Sequence, residues 1–487
     1  MISIIIIPVV FLIMIILWLW GRLDQMLVSL IGAIVSVFSL IILDGHDFSI
    51  VIDLLFGTPE NSFVNFHSLL LSLGMLFIIN VCHETGVFSY VAFKIVQTTK
   101  GKNYQLFLIL CALIFLFSAV LGNILTVLLF IPLTITICKI LNINPIPYII
   151  TESIIVNLGS LIFIISSMPN ILIGQTIGWT FEQFFIEIGL FSFVLLGISL
   201  IFLLGYYKRS LEIPNEKLIK VLKQYDAWVF VKNKKHFFIS IIVLISTIIA
   251  FIILPHFTSI TLDYIAITAG VLLILLTTNK NLKYFMRKLD IELLFYFIGI
   301  FIVIDALGYI GALDYLSNFI ISITAGNLII CSILILWLSA GLSGIMNKVP
   351  VSKILIPIIQ NYGTSFSIDT SKIFNSLIYG SNIGDNFTPW GDNLITMKIS
   401  SNYGKHINFY RYFKIGVISA FIQLVATTSY ILMRIDSGFM MGGIIMIILI
   451  IIVIVVWLYR KEIKEFINLI IKKISRINLM KIFHNNK

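Results

Sequence analysis

The stretch "YGSNIGDNFTPWGDN" (residues 379–393) holds two aspartates, three asparagines, three glycines and a proline. It sits inside a strongly apolar part of the chain. Gly384, Pro389 and Gly391 unwind a helix there; Ser381, Asn382, Asn386, Thr388 and Asn393 present amides and hydroxyls; Asp385 and Asp392 add charge. Backbone groups freed by glycine and proline need partners, so in a bilayer unwound chain survives only inside protein or beside a watery cavity. Carboxylates at that depth are costly and point to function. The competing reading is an exposed loop.

The surroundings favour depth. The 487 residues are 59% hydrophobic and 11% charged, where soluble domains carry roughly 25% charged residues. Mean hydropathy is +1.07. Apolar runs long enough to cross a bilayer recur along the whole chain. The chain therefore reads as an all-α, multi-spanning membrane protein. Spanning segments fall at about 2–20, 26–43, 67–82, 149–178 (interrupted), 183–206, 237–254, 260–278, 291–309, 373–400 (interrupted), 413–433 and 440–458. That is about eleven crossings. Two further apolar stretches, 105–138 and 329–360, are each broken midway by polar residues and read as re-entrant hairpins. The first run lacks a basic flank and a small-residue cleavage site, so it reads as a retained helix, not a signal peptide.

Lysine and arginine give the orientation. Arg22, Lys100, Lys102, Lys139, the loop 207–236, Lys280 to Lys288, Lys405 to Lys414 and the tail all share one side if both hairpins return to their own side. Excess positive charge marks the cytoplasm, which puts the N-terminus outside, the C-terminus inside and the cell membrane around the chain. The acidic segment around Asp44, Asp47, Asp53 and Glu60 is then external. Topology thus explains the net charge of +10, and no nucleic-acid partner is implied. The tail 459–487 reads either as a basic amphipathic helix on an anionic leaflet or as an ordinary cytoplasmic flank.

The two halves match at a constant offset. The same spacing separates Gly74 from Gly299, Gly86 from Gly311, Tyr90 from Tyr315, Pro132 from Pro357, Asn157 from Asn382, and Gly159 from Gly384. Each half has five crossings plus a hairpin. Five is odd, so the second half enters from the opposite side. The chain then divides into a first repeat (1–206), a cytoplasmic linker (207–236), an inverted second repeat (237–433), and an extra helix with a basic tail (434–487). Inverted repeats with broken helices at their junction are a common plan of secondary transporters.

The repeats differ in charge. The counterpart of the opening stretch, "NLGSLIFIISSMPN" (157–170), keeps Asn157, Gly159, Pro169 and Asn170, with Ser166 and Ser167 in between, but has no carboxylate. The first hairpin tip carries Gly122, Asn123 and Thr126; the second carries Asn347, Lys348 and Ser352. Lys348 near mid-depth can bind an anion, pair with Asp385 or Asp392, or snorkel to an interface. These tip and break residues are the candidate substrate site, with Lys348, Asp385 and Asp392 as the coupling group. Asp305, at the position equivalent to Asn80, and Glu152, five residues before Asn157, are further candidates, for structure or for transport. The four cysteines and seven histidines show no metal-type spacing. There is no P-loop, Rossmann fingerprint or nucleophile elbow, which argues against ATP-driven transport and against an enzyme. No cofactor is implied beyond a coupling proton or sodium ion.

These motifs resemble the ion transporter superfamily of arsenite permeases, citrate-type permeases, NhaD-type sodium/proton antiporters and divalent-anion/sodium symporters. "GMLFIINVCHETGVFSYVAFKI" (74–95) looks like its third-helix signature, with Glu84, Thr85 and Gly86 in place. Residues 117–160 and 169–185 follow its first hairpin and succeeding helices, and "GSNIGDNFTPWGDN" is similar to its second broken helix. The resemblance implies a scaffold domain, a moving transport domain with elevator-type motion, and a homodimer. Many members carry Asp-Asn at each hairpin tip; here the pairs are Gly122–Asn123 and Asn347–Lys348. A Gly-Asp-Pro-Pro-Asn pattern has become Ser166-Ser167-Met168-Pro169-Asn170. Sodium sites of the family's kind are therefore in doubt, and Lys348 can stand in for a lost cation. The expectation is a secondary transporter of a small anion or oxyanion. Arsenite or antimonite efflux and sodium/proton antiport are the alternatives, with a membrane-embedded enzyme or assembly subunit as a different class.

Overall fold

The computed structural model describes residues 2–21, 23–59, 62–98, 103–212, 216–277 and 290–458. The described residues form helices and connecting turns, without strands. Nine described helices are long and apolar enough to span a bilayer: Ser3–Trp20, Gln25–Leu43, Val64–Glu84, Tyr104–Leu141, Phe181–Tyr207, Lys234–Phe257, Ile291–Tyr309, Phe409–Ile435 and Ser437–Val455. The chain is an integral membrane protein. The lipid-facing helices wear their apolar residues outward, as Ile5 at 70% and Leu275 at 76% exposure illustrate.

Polar residues punctuate this apolar chain where helices begin. The side chains of Asp24, Asn233, Asn327, Asn347 and Asn408 each accept a backbone N–H in the first turn of the helix that follows. Each such bond satisfies a donor that has no partner within the helix.

The helix bounds repeat as the sequence motifs do. Ile146–Gly159 recurs as Ser371–Gly384, and Met168–Ile177 recurs as Asn393–Asn402, with both ends of each displaced by the offset of the sequence motifs. Asn103–Leu141 is bent at Gly122 (φ 71°, ψ 176°), a left-handed backbone that favours glycine. Its counterpart is split outright into Leu328–Ser343 and Lys348–Phe366, again at the same offset at both outer ends. Packing repeats too. A Cβ on Gly159 would lie 2.2 Å from the Phe115 carbonyl oxygen, and one on Gly384 would lie 2.3 Å from that of Ala340. Glycine lets each broken helix touch the backbone of the preceding arm.

The halves are interleaved. Val64–Glu84 of the first half packs through Gly74 against Ala266 of the second. Ile291–Tyr309 of the second packs through Gly299 against Ser29 of the first.

Several elements depart from the sequence reading. Short helices occupy Ser49–Phe56, Val87–Val96 and Ala312–Thr324; their apolar runs are too short to register as spans. The loop 207–236 is more than a polar linker. It contains the helix Glu216–Gln224, and its Trp228 and Phe230 pack against Tyr90 and Phe93 at ring separations of 4.6 and 5.3 Å. Its lysines dominate the sequence signal, while its aromatic residues fix it to the helical body. The tail 459–487 and the basic positions Arg22, Lys100, Lys102 and Lys280 to Lys288 lie outside the described residues.

Candidate functional site

The unwound segment 385–392 is held by side chains around it. Asn393 Nδ2 donates to the carbonyl oxygens of Asp385 (2.5 Å) and Thr388 (3.2 Å), and Asn393 Oδ1 accepts from Ser153 (2.6 Å). Thr388 Oγ1 donates to the Gly344 carbonyl in the second hairpin turn (2.6 Å). Two freed carbonyls thus find partners within protein, and Asn393 and Thr388 serve as anchors of the break.

Lys348 is the first residue of its helix, after the Asn347 cap. A cation at a helix N-terminus opposes the macrodipole, so it needs other compensation. It has two carboxylates: Lys348 Nζ lies 3.1 Å from Asp385 Oδ2 and 3.1 Å from Asp392 Oδ2. The lysine side chain is 4% exposed, and the two carboxylates are 1% and 10% exposed. Lys348 therefore turns inward and pairs with both aspartates. Ser343 donates to Asp385 Oδ1 (3.1 Å), and Asn123 Nδ2 donates to Asp392 Oδ2 (3.2 Å). The bend after Gly122, the turn before Lys348 and the second broken helix meet at this trio.

Behind it runs a chain of amides. Asn123 Nδ2 donates to Asn157 Oδ1 (2.5 Å), Asn157 Nδ2 to Asn386 Oδ1 (2.8 Å), Asn386 Nδ2 to Gln423 Oε1 (3.1 Å), and Gln423 Nε2 to Ser199 Oγ (2.9 Å). A second group closes into a ring. Ser160 Oγ donates to Asn382 Oδ1 (3.1 Å), Asn382 Nδ2 to Asn170 Oδ1 (3.0 Å), and Asn170 Nδ2 to the Ser160 carbonyl (2.7 Å). These buried amides join the two broken helices.

A cavity of about 120 Å³ opens beside the trio. Asn123, Ser166, Ser167, Asn347, Lys348 and Asp392 line one side; Ser72, Met75, Leu76, Leu293, Leu294 and Phe297 form much of the other. The remaining sequence candidates stand elsewhere. Asn157, Asn170, Asn382 and Asn386 lie in the amide network behind the cavity. Ser381 gives its carbonyl to Ser343 (2.6 Å), and Thr126 bonds back to the Gly122 carbonyl (2.6 Å). Asp385 faces the trio without lining the cavity. Glu152 accepts from Thr134 (2.6 Å), away from the trio. Glu84 lies 3.8 Å from Lys232 of the linker, and Thr85 bonds to Ser240 (3.1 Å).

Gln423, Ser343 and Ser153 join the site without having been singled out from sequence. Ser343 and Ser118 share the offset of the repeat, which was the available signal. Gln423 stands among apolar residues of its helix, and only packing reveals its partner. Among the described residues, no group of three histidines, cysteines or carboxylates is placed to hold a metal ion.

The comparisons with known proteins agree with this architecture. The chain is 26% identical over 419 residues to an uncharacterized transporter of Mycobacterium tuberculosis, covering 85% of this chain and 94% of that protein. It is 25% identical over 423 residues to a 46 kDa membrane protein of Mycobacterium leprae, with the same coverages of 85% and 94%. It is 23% identical to the human P protein over 451 residues, 76% of this chain but 53% of that longer protein. Among solved structures, the YdaH transporter of Alcanivorax borkumensis shares the fold with a TM-score of 0.58 at 13% identity, over 87% of this chain and 98% of that one. Residues 15–374 match the family described as citrate transporter, and the chain belongs to that family of membrane transporters.

Proposed function

We propose that this chain is a secondary transporter carrying a small anion or oxyanion by alternating access. One observation carries the reading: a buried lysine, clamped by two aspartates at 3.1 Å each, beside a small and largely apolar cavity with polar groups on one wall. With all three groups ionised the trio carries a net charge of −1. An arriving anion adds to that deficit. Protonating one carboxylate removes it and releases one of the two claims on Lys348. The lysine is then available to the anion, and proton and anion travel together. The Asn347 amide and the Ser167 hydroxyl on the cavity wall supply neutral donors, while Ser166 already donates to the Ser160 carbonyl. A cavity of about 120 Å³ suits a small substrate.

The matched helix bounds support two repeats; in this reading they are related by inversion, with 105–138 and 329–360 as re-entrant hairpins. In this reading the hairpins and broken helices move as a body against the helices Val64–Glu84 and Ile291–Tyr309. The N-terminus is outside, the C-terminus cytoplasmic, and the carrier a homodimer in the bilayer. A second reading, sodium/proton antiport, draws on the two carboxylates, with a sodium ion displacing the Lys348 ammonium. Arsenite or antimonite efflux draws on the neutral donors of the cavity wall.

Purified protein tested by thermal shift against dicarboxylates, phosphate, sulfate, arsenite and sodium separates these readings, because a ligand of the folded state raises its stability. The proposal expects an anion to stabilise the protein, and Lys348→Ala to abolish both that shift and uptake into proteoliposomes. Stabilisation by sodium alone, with no response to any anion, overturns it.

A further inference from the structure

The helix Lys348–Phe366 carries a second, partly buried cation. Lys353 lies five residues after Lys348, about 7.5 Å along the axis and about 140° round it. Lys348 faces the broken helix. Lys353 faces the opposite way, toward the helices Val64–Glu84 and Ile291–Tyr309. Its Nζ sits 2.8 Å from Asp305 Oδ1 and donates to Asn65 Oδ1 at 2.7 Å. Asn65 Nδ2 in turn donates to Asp305 Oδ2 at 2.6 Å and to the Leu54 carbonyl at 3.2 Å. The ammonium also lies 5.2 Å from the centre of the Phe301 ring. The Lys353 side chain is 12% exposed, Asp305 28% and Asn65 1%. A closed three-membered polar cluster thus ties the hairpin that bears Lys348 to the opposite wall of the cavity.

The first half has no equivalent. At the offset of the repeat, Asp305 corresponds to Asn80 and Lys353 to Leu128. Asn80 Nδ2 bonds to the Leu76 carbonyl of its own helix at 2.9 Å, and Leu128 is 44% exposed. This matters if two related halves generate the two faces of the carrier by exchanging conformations. Contacts present in both halves, such as Ser118–Val156 and Ser343–Ser381, then contribute alike to both states. A contact present in one half alone stabilises one state alone.

We propose that Asp305, Asn65 and Lys353 form a latch that biases the resting orientation of the carrier toward the one seen here. The proposal rests on the alternating-access reading above. Movement of the second hairpin against Ile291–Tyr309 separates Lys353 from Asp305 and Asn65, and the cavity beside Lys348 exchanges faces as they part.

The test uses Ser72→Cys as a reporter, on the wall of the cavity away from the hairpins. The four native cysteines are buried and give little background. The full chain is reconstituted in vesicles and labelled with a membrane-impermeant thiol reagent from each face in turn. Without the latch, in Lys353→Met, the ratio of labelling rates between the two faces shifts by about fivefold or more, the usual lower range for a conformational coupling. Asp305→Asn keeps the shape of the site and shifts the ratio the same way, should the lysine variant fold poorly. The charge-swapped pair, Asp305→Lys with Lys353→Asp, returns the ratio toward that of the unmodified latch. An unchanged ratio in both single variants overturns the latch, as does a swapped pair that behaves like Lys353→Met. Labelling needs no substrate, so failure of the anion reading and failure of the latch give different results.

Discussion

Ser118 and Ser343 make the same hydrogen bond. Ser118 Oγ donates to the Val156 carbonyl at 2.6 Å, and Ser343 Oγ donates to the Ser381 carbonyl at 2.6 Å. Donors and acceptors alike are related by the offset of the repeat. Each hydroxyl pins the inner arm of a hairpin to the helix that breaks beside it. Each also reaches the charged site: Ser118 bonds to Asn123 Oδ1 (3.2 Å) and Ser343 to Asp385 Oδ1 (3.1 Å). Only the second ends on a carboxylate. Ser118→Ala and Ser343→Ala should therefore destabilise the protein similarly, by about 1–3 kcal/mol each for an orphaned buried acceptor. Ser343→Ala alone should also alter the pH profile of transport. Thermal melts and uptake across a pH series measure both; equal effects on the pH profile would detach Ser343 from the coupling group.

The Lys348 trio makes a prediction about stability that is separate from transport. Removing one partner of a buried ionic cluster leaves uncompensated charge and costs about 3–5 kcal/mol, while replacing the whole cluster with neutral groups is often harmless. Lys348→Met alone should lower the melting temperature clearly. Lys348→Met combined with Asp385→Asn and Asp392→Asn should recover most of the loss, yet remain inactive in uptake. A triple variant as unstable as the single one would mean that the trio holds the fold together by more than its charge balance.

How much of this site was legible in the sequence depends on distance along the chain. The breaks were legible because Gly384, Pro389 and Gly391 interrupt an apolar run, and local chemistry suffices to end a helix. The repeat was legible because those breakers recur at a fixed spacing. Which side chains meet was not. Asn157 and Asn386 are 229 residues apart, and Lys353 and Asn65 are 288 apart; only packing joins them. Lys348 shows the boundary between the two. Its sequence position allowed pairing or snorkelling, and the choice lay with two aspartates brought in by the broken helix. The short helix Val87–Val96 and the linker aromatics that cover it were missed for the same reason, since each is too short to announce itself alone.

Glycines at the close contacts should not accept a methyl group. Gly384→Ala would place Cβ 2.3 Å from the Ala340 carbonyl oxygen, so one of two backbones must move. Overpacking of this kind costs about 1–3 kcal/mol, and here it would displace Asp385, the next residue. Gly122→Ala adds left-handed strain to a contact 2.7 Å from the Ser166 carbonyl. Gly197, in the helix Leu190–Tyr207, has nothing within 4 Å of a new Cβ and serves as the control. Gly197→Ala should be neutral or stabilise by up to about 1 kcal/mol through helix propensity. Melting curves in which Gly197→Ala is not the most stable of the three variants would contradict the packing described here.

Away from the cavity, Glu187 gathers three helices and offers the last test. It accepts from Arg434, from Lys372 at 3.2 Å and from Asn375 at 3.3 Å, on a π-helical turn that spans Phe185–Gly189. Arg434 ends the helix Phe409–Ile435, and Lys372 begins the helix Ser371–Gly384. The carboxylate is 26% exposed, Lys372 25% and Arg434 34%, so solvent screens these pairs more than it screens the Lys348 trio. Glu187→Gln keeps the shape and removes the charge. It should cost about 1 kcal/mol, and the cost should shrink in high salt, because exposed charges are screened by ions. The loss in Lys348→Met should hardly respond to salt. Melts of both variants at low and high salt make the comparison directly. A salt response in Lys348→Met as large as that in Glu187→Gln would show that the trio lies open to solvent, in conflict with its 4% exposure.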